Sequence, residues 1–176
     1  MNLRKHIAAM VLMIISSCGW SQISCDSILS KKVAFDYKAH AIHGKAPDAL
    51  KPGMILMPTS VVYNLGKPSF MEQYKDSLKI WAGIITKHEN LVFEIAVHTG
   101  TRGSDELNKK LSEGRAALIY DYLIKDCHVS SCNLRFAGYG ETQLLEAEDN
   151  GNTKIHDGSG HVNNNRTELR IIAYKK

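Results

Sequence analysis

The sequence has no apolar run of the ~20 residues that a membrane-spanning helix needs. It has no Gly-x-Ser-x-Gly elbow, no glycine-rich phosphate loop and no His-x-x-x-His pair. Internal repeats and low-complexity tracts are missing as well. The excess of positive charge is small: 22 Lys+Arg against 18 Asp+Glu give +4, and without Arg4 and Lys5 of the basic start it is +2. That is too weak an asymmetry to argue for nucleic acid. The eight histidines are scattered, so neither a metal site nor a cofactor is implied. Only His98, at the end of an apolar strand beside the candidate site, invites a catalytic or metal-binding reading. Cysteine is sparse, with four residues.

The 176 residues suffice for one domain of ~100–150 residues and a leader. Apolar content of 44% and charged content of 23% are those of a globular protein with a packed core. Arg4, Lys5 and His6 followed by the apolar Ile7 to Ile15 read as an export signal. Two processing routes fit. Gly19-Trp20-Ser21 puts small residues where a signal peptidase cuts, making residues 1–21 the leader and Gln22 the mature start. Ile15-Ser16-Ser17-Cys18 resembles a lipobox, making residues 1–17 the leader and Cys18 a lipid anchor, the one route to outer-membrane attachment.

Export places the cysteines in an oxidising compartment. Cys127 and Cys132 are near enough in sequence to close a small disulfide loop, which leaves Cys25 unpaired. Free thiols, or zinc held with His128, are the other readings, and the spacing is not a standard zinc pattern.

Residues 22–51 carry little pattern and read as an extension or linker, with one short strand at Val33 to Tyr37. From 52 to 176 the pattern is that of a folded domain. Ile55 to Met57 and Ser60 to Leu65 read as strand pieces, the latter around Val61. Ser69 is placed to cap a helix whose apolar positions are Phe70, Tyr74, Leu78, Trp81 and Ile85. Leu91 to Val97 is apolar on both faces, as a central strand is. A second helical region, Ser104 to Lys125, is expected to break near Leu111, with Ser112 capping its longer part and Arg115 in that part's first turn. Asn133 to Ala137 and Thr167 to Tyr174 complete the strands, separated by a polar excursion from Glu141 to Asn165. The expected fold is an α/β sandwich of βαβαββ order, with two main helices on one face of a mixed four-stranded sheet built from the strands near Val61, Phe93, Leu134 and Ile171.

Four motifs occur in order: Tyr63-Asn64-Leu65-Gly66-Lys67; the stretch from Thr99 through Gly103, Asn108, Leu111-Ser112-Glu113 and Arg115-Ala116; Gly138-Tyr139-Gly140-Glu141; and Asn164 to Leu169. Together they resemble the OmpA-like domains, a family that includes peptidoglycan-associated lipoproteins and flagellar motor stators. The resemblance covers about Ile55 to Ile172. It implies a non-catalytic envelope module whose turns hold the diaminopimelate branch of peptidoglycan. That ligand is a zwitterion. An arginine fork takes its carboxylate and an aspartate takes its ammonium. Arg115 occupies the arginine position, but the aspartate position is Gly100. Asp105 and Glu106 are neighbouring substitutes at positions other than the family's, Thr99, Asn108 and Asn64 are candidates to shape or line the site, and Asn165 stands where an arginine is common beside Arg166. Read without the resemblance, Arg115 is a surface helix residue paired with Glu113 or Asp121. The loss of the acid leaves two functions open: weak peptidoglycan binding, or a degenerate module that contacts another envelope protein.

Overall fold

The computed structural model describes residues 33, 35, 40–57, 61, 63, 66–70, 72–145 and 164–175. The leader with Cys18 and Gln22, Asn64, and most of the 141–165 excursion lie outside the described residues.

Five strands form one mixed sheet: β1 (Ala41–His43), β2 (Ile55–Met57), β3 (Leu91–His98), β4 (Leu134–Gly140) and β5 (Thr167–Tyr174). Their spatial order is β1-β2-β5-β3-β4. β1–β2 and β3–β4 are parallel, while β5 runs antiparallel to both β2 and β3. β3 is flanked on both sides, and its run Leu91–Val97 is apolar and buried except at Glu94. The sheet has one strand more than expected. That strand, β1, comes from the segment read as a linker, and the strand expected around Val61 is replaced by Ile55–Met57. Of the strand expected over Val33 to Tyr37, only Val33 and Phe35 are described, and neither is in a strand.

Two helices cover one face. The first, α1 (Lys75–Lys87), follows a single 3-10 turn at Glu72–Tyr74. It starts later than the Ser69 cap implied, because Phe70 forms an antiparallel bridge with Tyr63 and its backbone is committed to extended pairing. Tyr74 takes the cap position without a side-chain cap bond. Leu78, Trp81, Ala82 and Ile85 then face the sheet and meet Phe93, Ile95, Leu169 and Ile171 in the core.

The second helix, α2 (Asp105–Lys125), is continuous, and its cap is Ser104, whose hydroxyl accepts from Leu107 N at 3.3 Å. The expected break near Leu111 is not there. Ser112 is fully buried; its Oγ donates to Lys109 O within the helix (2.8 Å) and accepts from Gly140 N (2.9 Å). The hydroxyl is thus satisfied inside the helix and bolts it to β4. Arg115 is ten residues past the first residue of α2, not in a first turn. Gly138 makes the close docking of α2 possible, since a Cβ there would stand 2.2 Å from Glu113 N. Gly114 does the same for the loop before α1, where a Cβ would lie 3.0 Å from Pro68 Cβ.

The expected Cys127–Cys132 bridge is not formed. Cys127 is a free thiol packed against the core after α2, where its backbone N–H donates to Tyr122 O (3.2 Å). Cys132, in the 3-10 turn Ser131–Asn133, is disulfide-bonded, so its partner lies outside the described residues. Among the described residues no helix is long and apolar enough to cross a membrane, and no group of three or more His, Cys, Asp or Glu side chains is placed to hold a metal.

Candidate functional site

The parallel pair β3–β4 ends at one rim of the sheet, and the sequence motifs converge there. His98 N donates to Arg166 O and Thr99 N to Gly140 O, both at 2.9 Å, so the end of β3 is held between the closing segment and the end of β4. The rim outside the carboxyl ends of parallel strands is where open α/β sheets place ligands. Thr99 and Gly100 are buried in this turn, and Thr99 Oγ1 has no hydrogen-bond partner. Asn108 is buried and donates through Nδ2 to Glu141 Oε2 at 2.6 Å, tying the start of α2 to the end of β4. Its side chain holds the turn together.

Arg115 is buried, with 6% of its surface exposed. Its Nε donates to Lys67 O at 3.3 Å, and its guanidinium carbon lies 4.4 Å from the centre of the Tyr63 ring. The Tyr63 hydroxyl in turn is 2.7 Å from Thr167 Oγ1, at the head of β5. A linked set, Arg115–Tyr63–Thr167, therefore joins α2 to the rim. The pairing expected of a surface arginine is not made: Glu113 pairs with Lys109 (3.1 Å) and Asp121 with Lys125 (2.7 Å). Among the described residues Arg115 has no carboxylate partner. Burial lowers its pKa, an effect that Tyr63 opposes, and burial raises that of the Tyr63 hydroxyl.

The structure does not bring the other candidates to Arg115. Asp105 is exposed in the first turn of α2, about 15 Å of helix from Arg115 at 1.5 Å per residue. The ammonium and carboxylate of one amino-acid centre sit on the same carbon, so Asp105 is not placed to take the ammonium of a centre whose carboxylate Arg115 holds. Arg166 donates through Nε to Glu168 Oε1 at 2.6 Å and belongs to a different assembly.

That assembly lies on the sheet face away from the helices. Leu91, Phe93, Ile95 and Val97 point into the core, so strand alternation puts Glu94 and His98 on the opposite face. Glu168, fully buried, accepts from Arg166 Nε and from Arg170 Nε, each at 2.6 Å. Arg170 lies between the rings of Tyr139 (4.7 Å) and Phe35 (5.0 Å), and its Nη2 donates to Gln143 Oε1. His98 stacks on Tyr139, with centroids 5.2 Å apart and planes at 9°. The Tyr139 hydroxyl donates to Glu94 Oε1 at 2.9 Å.

Burial pushes the His98 pKa down to about 4, against the opposing pull of Glu168, so the ring is neutral near pH 7. Its Nε2 is 3.2 Å from Arg170 Nη2, which can only donate. The same Nε2 is 3.5 Å from Glu168 Oε1, while Nδ1 is a buried atom without a hydrogen-bond partner. Burial would raise Glu168, but the hydrogen bond and charge of His98 and the charges of Arg170 and Arg166 outweigh it and hold the carboxyl at about 2. Burial raises Glu94 and, first among several causes, takes Tyr139 up to about 12. His98, 1% exposed and engaged with Arg170, presents no face to a substrate.

Sequence reasoning missed Tyr63 as a partner of Arg115, and missed Glu168 and Arg170 entirely. The first was signalled by the aromatic that opens the Tyr63–Lys67 motif. The other two stand at alternate positions of the last strand, where charged residues on a second face would be read as solvent-exposed.

With fold and rim in place, the comparisons with known proteins are informative. The family model of the OmpA family matches residues 62–156, and the chain belongs to that family. Among curated proteins it is 25% identical over 123 residues to the outer membrane porin F of Pseudomonas aeruginosa, covering 70% of this chain and 33% of that protein. It is 28% identical over 144 residues to a protein of Gloeobacter violaceus named photosystem I P700 chlorophyll a apoprotein A2, covering 81% of this chain and 15% of that one. The chain thus spans a third or less of these relatives. Among solved structures it is similar to the peptidoglycan-associated lipoprotein of Burkholderia pseudomallei (TM-score 0.51, 20% identity, 65% of this chain and 89% of that one). It is also similar to the periplasmic domain of Helicobacter pylori MotB (TM-score 0.53, 19% identity, 68% and 74%). A third is the cell wall anchor of the type VI secretion system of Pseudomonas aeruginosa (TM-score 0.51, 18% identity, 64% and 75%). At these identities the likeness is one of fold.

Proposed function

We propose that this chain is an exported, non-catalytic module of the cell envelope that holds peptidoglycan non-covalently through the diaminopimelate of its peptide stem. Arg115 carries the reading: a buried guanidinium with no carboxylate beside it among the described residues. A buried cation without a counter-charge is unfavourable by several kcal/mol. The Tyr63 ring and the Lys67 carbonyl offset part of this and orient the group. They leave both terminal nitrogens of the fork for a ligand carboxylate. Thr99 Oγ1, buried and unpartnered, is a further polar group at the same rim. Asn108 supports the turn, and Asn64 stays a candidate lining residue. The family membership and the named relatives, a peptidoglycan-associated lipoprotein and a cell wall anchor, support the same ligand.

The ligand's ammonium meets Gly100 in place of an acid, so binding is weak. Losing one partner of a partly buried charge pair costs about 2–5 kcal/mol. In this reading residues 1–21, or 1–17 with lipidation at Cys18, are removed, residues 22–51 lead into the domain and supply β1, and 52–176 hold the site. The same Gly100 favours a second reading, a lapsed binder that contacts another envelope protein.

Co-sedimentation of the mature protein with purified sacculi tests both. Arg115→Ala is expected to abolish binding and Gly100→Asp to strengthen it. Gly100 is not among the glycines with positive φ, which are 44, 53, 66, 103 and 140, so aspartate meets no backbone strain of that kind. Strong binding indifferent to Arg115→Ala would refute the site. No wild-type binding, with some restored by Gly100→Asp, would select the second reading.

A further inference from the structure

We propose that the groove between α2 and the edge strand β4 docks an acidic amphipathic helix from a second protein, at a surface distinct from the face of α2 that buries Arg115. The groove is a cavity of about 1060 Å³. Its floor is apolar: Leu107 is 64% exposed and Phe136 43% exposed, and Leu111 and Gly114 continue the line along α2. These positions recur at helical spacing, so α2 presents a second apolar stripe that no described element covers. The rim is cationic. Arg102 and Lys110 line it without any carboxylate partner among the described residues, while Lys109 and Glu113 neutralise each other.

The occupant follows from that chemistry. An unpaired pair of cations over an apolar floor matches carboxylates flanking an apolar stripe. The lined length of α2, from Leu107 to Ala117, is about 15 Å, close to three turns of a partner helix. Strand addition is disfavoured because Lys109 Nζ already donates to Gly138 O of β4, at 2.5 Å, covering that edge. A glycan is disfavoured too: the one uncharged polar side chain in the groove that can hydrogen-bond is Asn108, and it is committed to Glu141.

The test uses the mature chain and a synthetic helix of about three to four turns, with leucines on one face flanked by glutamates. The same helix with lysines in place of glutamates is the control. The acidic peptide is expected to shift the amide resonances of Leu107, Lys110 and Phe136, and the basic one to leave them in place. Arg102→Glu with Lys110→Glu, and separately Leu107→Asp, should each weaken the acidic peptide about tenfold or more. All three positions are exposed or on the surface of the helix end, and an unchanged thermal midpoint will show that the fold is kept. Shifts elsewhere, equal binding of the basic peptide, or no binding would overturn the proposal. So would self-association of the chain through this groove, seen by sedimentation. A double variant that loses sacculi but keeps the peptide would assign the rim cations to the polymer instead, and would likewise overturn it.

Discussion

Replacing Glu168 with glutamine isolates the most consequential charge in the fold. The substitution keeps the shape of the side chain and removes its charge. It leaves Arg166 and Arg170 buried, with Glu94 the nearest other carboxylate to Arg170 among the described residues, at 3.9 Å. The magnitude can be worked from the carboxyl itself. A folded pKa of about 2 against an ordinary 4.5 is a depression of about 2.5 units, or roughly 3 kcal/mol at 1.36 kcal/mol per unit. Breaking a buried ion pair from one side independently suggests about 3–5 kcal/mol. Against a total stability of about 5–15 kcal/mol this is a large fraction. It should lower the thermal midpoint by about 10 °C in a domain of this size.

The sign of the pH dependence follows. A carboxyl held below its unfolded value contributes above pH 4.5 and loses its contribution as pH falls toward 2. The gap between wild type and Glu168→Gln should therefore be full at pH 7 and narrow steadily below pH 4.5. Urea unfolding followed by circular dichroism at a series of pH values measures it. A loss under about 1 kcal/mol at pH 7, or a gap that does not close in acid, would show that the two arginines do not depend on this carboxylate.

The neutral, buried His98 has a folded pKa of about 4 against 6.5, so the unfolded state takes up a proton first and stability should fall by up to about 3 kcal/mol between pH 6.5 and pH 4. His98→Gln should flatten that window, and a profile unchanged by the substitution would contradict the assignment. Gly138→Ala should destabilise the domain by more than the ~1–3 kcal/mol usual for overpacking, because the added carbon meets the α2 backbone 2.2 Å away; equilibrium unfolding of the variant checks it. Cys127 should react with iodoacetamide in the unreduced, denatured protein while Cys132 does not, as peptide mapping would show.

The parts of the fold that could be read from sequence were those set by local periodicity. Leu91–Val97 announced a strand buried on both faces, and Thr167–Tyr174 had the bounds that the structure gives. Where local rules competed with long-range contacts, they lost. Ser112 has the chemistry of a cap, but its hydroxyl is satisfied within the helix and by Gly140, 28 residues away. Ser69 looks like a cap too, yet the Tyr63–Phe70 bridge holds that stretch extended. Ala41–His43 is three residues long and carries no alternating pattern of its own; it becomes a strand because β2 offers it a parallel edge. Cys127 and Cys132 illustrate the same limit, since nearness in sequence said nothing of where each thiol points.

The arginines show why the site itself was only half legible. Arg115, Arg166 and Arg170 are all buried to a similar degree. Arg166 and Arg170 share Glu168, two residues from each in sequence, with Glu168 and Arg170 at alternate positions on one face of β5 and Arg166 just before it. Arg115 has instead an aromatic ring and a backbone carbonyl, from residues 52 and 48 positions earlier. A cation over an aromatic ring in a desolvated place gains about 2 kcal/mol, less than the several kcal/mol that removing it from water costs. Among the described residues, two of the three buried arginines are thus paired with carboxylates and the third is not. In the proposed reading that imbalance stands beside Gly100, which offers no acid for a ligand's ammonium. A chain that had abandoned anionic ligands altogether would gain stability from a neutral residue at position 115. The presence of the guanidinium, oriented by Tyr63 and Lys67, is therefore the feature that makes carboxylate binding the stronger of the two functional readings.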